Sequence, residues 1–123
     1  MMIDDQEQVQ ILMERMQATL PIPATMTSRL LRGLRDQGKS FGKRDVLIHS
    51  IMYSGDEGGI MCGITAPSPK AKEVVLVSLT HLRVSLRHPL GADIRAYQQV
   101  RIDKLARYHG VVSSTITRRL DDD

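Results

Sequence analysis

The residues of this chain that could do chemistry are scattered, with one exception: the bases. Arg29, Arg32, Arg35 and Lys39 recur at intervals of three and four, and Lys43 and Arg44 follow in the next loop. That spacing lines one stripe of a helix. A row of guanidinium and ammonium groups neutralises phosphates, and binding of that kind weakens steeply with salt. A second basic row comes from His81, Arg83 and Arg87, which alternate with Leu82, Val84 and Leu86. Alternation puts the bases on one face of a strand and the apolar residues on the other. If the two rows are contiguous, they form a site for RNA or DNA.

The other reactive types are less organised. The histidines, His49, His81, His88 and His109, are dispersed and have no paired metal-ligand spacing. His49 and His81 would meet only if they lay on neighbouring strands, and a slip of one residue would turn either to the opposite face. A small nuclease-like enzyme using one of them as its acid–base group is therefore a third reading. Cys62, between Met61 and Gly63 in an apolar run, reads as a buried inert thiol rather than a nucleophile. Asp56 and Glu57 sit among Gly55, Gly58 and Gly59, the composition of an exposed turn. None of these glycines stands between a strand and a helix, so no phosphate-cradling loop is present. No catalytic residue, metal ligand, cofactor or small-molecule ligand can be named.

Arg101 stands apart from the other bases. It falls among Tyr97, Ile102, Leu105 and Tyr108 on the apolar side of a helix. A guanidinium there needs an acceptor or a ring. Arg101, Tyr97 and Tyr108 are thus candidates for a buried polar group or an interface, and Gly63, inside a strand, for close packing against that helix.

The elements that must position these groups follow from patterning. Asp4 to Leu20 repeats its apolar residues at helical spacing and opens with acids that complement the helix dipole. Pro21 and Pro23 stop it. Thr25 to Gln37 reads as a second helix ending at Gly38, so the two should pair as an N-terminal helical hairpin. Val46–Ser54 and Ile60–Ala66 form a hairpin of strands, Val74–His88 a third strand, and Pro89–Tyr108 a final helix. Val111–Thr117 would make a fourth strand. The expected class is α+β: a helical hairpin, an antiparallel sheet of three strands (four with Val111–Thr117), and a C-terminal helix on one sheet face. Residues 1–119 read as a single domain and 120–123 as a disordered acidic tail.

Composition sets the outer bounds. The chain has 123 residues, 41% hydrophobic and 25% charged, with a net charge of +3. Aromatics make up only 3%, so the core is aliphatic and rings for stacking unpaired bases are scarce. One cysteine excludes an internal disulfide and fits a reducing compartment. No apolar run is long enough to span a bilayer, and the expected location is the cytoplasm, with no membrane partner. The charge is unevenly spread. Asp4, Asp5, Glu7 and Glu14 face only Arg15 before residue 29, whereas Arg29–Arg44 holds six bases and Asp36.

Leaving aside the first helix, the order helix–strand–strand–strand–helix is similar to that of the double-stranded-RNA-binding domain. That family carries a lysine cluster at the start of its last helix. Here the stretch is Leu90-Gly91-Ala92-Asp93-Ile94-Arg95, and membership is not assigned. The leading expectation is a non-enzymatic interaction or regulatory domain. Val46–Tyr53 and Val74–Leu79 are apolar on both sides, helices cover one sheet face, and a second copy is the commonest cover for the other.

Overall fold

The prolines between the first two helices decide the architecture. A computed structural model describes residues 4–39, 41–68, 70–71 and 73–108. In it, α1 (Gln6–Thr19) is capped by Asp5, whose carboxylate accepts from the Glu7 and Gln8 amides at 3.1 and 3.3 Å. Pro21 and Pro23 then hold the chain extended instead of turning it, and Ile22–Met26 becomes β1. Pro23 is tolerated because it lies where β1 has a single neighbour. Thr27 caps α2 (Ser28–Asp36) by accepting from the Leu30 amide at 3.2 Å. A strand thus separates α1 from α2, and the expected helical hairpin is absent.

β2 (Asp45–Tyr53) and β3 (Ile60–Thr65) form the expected hairpin, closed by a 3-10 turn at Gly55–Glu57. The third expected strand is broken in two. β4 (Val75–Ser78) pairs with β3, a 3-10 turn at Leu79–His81 follows, and β5 (Leu82–Arg83) pairs with β1. The sheet order is β4-β3-β2-β1-β5, so β4 and β5, joined by one short turn, occupy opposite edges. Only a strongly curled sheet allows that. The five antiparallel strands form a half-barrel, with two more strands than expected among the described residues. Val111–Thr117 and the acidic tail lie outside those residues.

Helices and sheet meet over one core. α1 contributes Val9, Leu12 and Met16, α2 contributes Leu31 and Leu34, and α3 (Gly91–Tyr108) contributes Ile94. They pack on Ile22, Met26, Val46, Ile48, Ile60, Cys62, Ile64 and Val77 from the inner side of the sheet. The aliphatic composition is enough for this because Met16 and Met26 are fully enclosed. Leu82 is buried as the alternation requires, but Leu86, placed on the same side, is 59% exposed because pairing ends at Arg83.

Candidate interaction surface

Two side chains near the ends of the described chain organise its interior. The Arg101 guanidinium donates to Asp4 Oδ2 at 2.8 Å and to the Asp56 carbonyl at 2.6 Å. The same carboxylate oxygen accepts from the Tyr53 hydroxyl at 2.9 Å, and Gln6 donates to that hydroxyl. The Tyr97 hydroxyl accepts from the Ile60 amide at 2.9 Å, and burial pushes its pKa up to about 12. This cluster ties the start of α1, the β2–β3 hairpin and α3 together, and the groups around it satisfy one another. The glycine pressed against α3 is Gly59, where a Cβ would lie 2.2 Å from the Tyr97 hydroxyl. Gly63 faces the other way, under Ser50 and Val74.

Gln98 is a further polar residue inside the fold, 2% exposed. Its amide donates to the carbonyls of Leu79 and Leu82 at 2.6 and 2.7 Å, pinning both ends of the turn that carries the chain from β4 to β5. In the sequence it is marked only by its place beside Ile94, Tyr97 and Arg101 at helical spacing.

Among the described residues the candidate reactive groups do not converge, and His109 lies outside them. His49 is exposed on β2 and His81 lies at the turn before β5, beyond β1. Among the described residues no group of three or more His, Cys, Asp and Glu could hold a metal ion. Cys62 is fully buried, and desolvation raises its pKa to about 12. Between α1 and α3 a cleft of about 530 Å³ is lined by apolar Ile11, Leu12 and Val100 and by Arg15, Asp93 and Lys104. Arg15 and Asp93 close on each other as an ion pair.

The bases divide into two groups. Arg35 donates to the carbonyls of Phe41 and Gly42, holding the loop after α2. Lys39 pairs with Glu73 at 3.6 Å. Arg44 donates to the Met26 carbonyl, and Arg83 to those of Thr80 and Leu82. Arg29, Arg32, Lys43 and Arg87 are exposed. The single helical stripe is therefore broken by residues engaged within the fold. Arg29 and Arg83 both lie close enough to His81 to lower its pKa, beyond the larger lowering from desolvation.

Among the described residues, the outer sheet face beside β4 carries three exposed apolar side chains. A bulge between Ile48 and Ser50 shifts the register of β2, so Ser50 pairs with Gly63 and Met52 with Met61. Gly63 in turn pairs with Leu76. Ile60, Cys62 and Ile64 point into the core, so Met61 and Gly63 point out, together with Met52 and Leu76. Met52 is 50% exposed, Leu76 57% and Val74 60%, and Val74 reaches over Gly63. These side chains adjoin β4, an edge strand.

No family model, curated protein or solved structure matches this chain. Its order of elements also departs from the double-stranded-RNA-binding domain, since β1 precedes α2 and five strands replace three. No helix among the described residues is long and apolar enough to cross a membrane.

Proposed function

We propose that this chain is a non-enzymatic interaction domain that associates with a second copy of itself through the β4 edge and the adjoining outer face of β2 to β4. The observation that carries this reading is the exposure of Met52, Val74 and Leu76 on the face opposite all three helices, beside β4, which has β3 as its one strand neighbour among the described residues.

Two features of that surface favour a partner over bare exposure. Edge strands that stay alone are usually blunted by charge, proline or a bulge within the strand. β4 reads Val75-Leu76-Val77-Ser78 and has none of these. Pairing two copies edge to edge also brings two outer faces into one continuous sheet. There the apolar side chains at the two β4 edges lie alongside each other and shield part of each other's surface, while the outward backbone groups of β4 gain strand partners.

Amide hydrogen exchange tests this at the strand itself. Protection of the Val75–Ser78 amides rises between low- and high-micromolar protein if β4 pairs with a second copy. Protection independent of concentration would overturn the reading.

A further inference from the structure

The basic residues that sequence spacing placed on a helix stripe are regrouped by the fold around the junction of β1 and α2. The amides of Met26 and Thr27, adjacent in the chain, each bond to a different basic segment. Met26 donates to the Arg44 carbonyl at 2.8 Å and Thr27 to the His81 carbonyl at 3.1 Å. Arg29 and Arg32 follow on the first turns of α2. Arg83 stands across from Thr25 in the β1–β5 pairing, with Asp45 across from Thr25 on the other side. Three segments distant in sequence (29–32, 43–44 and 81–83) thus present five arginine and lysine side chains and one histidine around one corner, with Asp45 and, one turn beyond Arg32 on α2, Asp36 as adjoining carboxylates.

From this convergence we infer that the β1–α2 corner binds the phosphate backbone of a nucleic-acid duplex without reading its sequence. Arg44 and Arg83 are held by backbone carbonyls and are placed in advance, whereas Arg29, Arg32 and Lys43 extend into solvent and adjust to successive phosphates. Arginine suits this role because its planar fork matches phosphate oxygens. Single strands fit less well. Phe41 is buried, and the Tyr53 and Tyr97 hydroxyls are bonded inside the fold, which leaves these rings unsuited as platforms for unpaired bases. A bilayer surface fits less well too, because Met52, Val74 and Leu76, the apolar side chains that could insert, sit on β2 to β4 rather than around this corner. The inference is independent of self-association.

Fluorescence anisotropy with short labelled RNA and DNA duplexes of mixed sequence tests it, titrated at several salt concentrations between about 50 and 200 mM. Either duplex is expected to bind, with affinity falling steeply as salt rises. The variant Arg29→Ala/Lys43→Ala loses at least tenfold in affinity, and its logarithmic salt slope shrinks by about 2. The charge-matched variant Lys70→Ala/Arg107→Ala, altered at exposed sites elsewhere, binds as the unaltered chain does. All four substitutions are at exposed side chains, and circular dichroism confirms that both variants fold. The inference is overturned if neither duplex binds at the lowest salt, if the two double variants lose affinity equally, or if anionic vesicles capture the chain while duplexes do not.

Discussion

Arg101 and Asp4, 97 positions apart, meet as a buried ion pair at 2.8 Å, each side chain no more than 3% exposed. The pair closes the fold: it joins the residue preceding the α1 cap to the third turn of α3, and through the Asp56 carbonyl to the β2–β3 turn. A buried pair is a weak source of net stability, because both ions are desolvated, but breaking one leaves an uncompensated charge inside.

Removing one partner is therefore costly. Arg101→Met or Asp4→Asn is expected to lower unfolding free energy by about 3–5 kcal/mol. The double variant Asp4→Leu/Arg101→Met recovers part of that loss, since it buries no lone charge. Urea denaturation of the three variants measures this. If each single variant costs less than about 1 kcal/mol, the pair is not the closure described.

The thiol offers a chemical probe of core integrity. Burial raises the Cys62 pKa to about 12, and the side chain is fully enclosed between sheet and helices. The native chain should resist alkylation by iodoacetamide at mildly alkaline pH and react once denatured. Rapid labelling of the native chain would show that β3 opens readily.

His81 supplies a pH dependence. Its folded pKa lies below the ordinary value through desolvation and the Arg83 and Arg29 charges. Between that lowered value and the ordinary one, the unfolded chain binds more protons than the folded chain, so stability rises with pH there. Stability is accordingly lost as pH falls below about 6.5, and His81→Asn flattens that part of the curve. Thermal melts from neutral to mildly acidic pH read the difference. An unchanged curve in the variant would assign the effect elsewhere.

Helix positions were largely legible in the sequence, because apolar spacing, the acids at the start of α1 and the stop at Gly38 are local signals. The strand at Ile22–Met26 was not. Pro21 and Pro23 read as the stop of the first helix and Thr25 as the start of the second, and only the β2 and β5 partners make the stretch a strand. The long alternating stretch misled for the opposite reason. Its apolar residues change sides between Leu79 and Leu82, and Gln98, reaching from α3, fixes a turn there that strand patterning alone does not specify. The acceptor for Arg101 was equally hidden. Its burial followed from helix spacing, whereas Asp4 looked like one of several acids complementing a helix dipole. The outer apolar face was anticipated from strands apolar on both sides, though the bulge at Ile48/Ser50, which turns Met52 outward, was not.

Self-association through that face is the central claim, and sedimentation equilibrium measures it most directly. The unaltered chain at tens of micromolar is expected to sediment with a mass approaching twice 13.8 kDa. Leu76→Lys, which adds a charge at a 57% exposed site without disturbing the core, is expected to return it to the single-chain mass. A clean monomer for the unaltered chain, or a dimer unaffected by Leu76→Lys, would contradict the account.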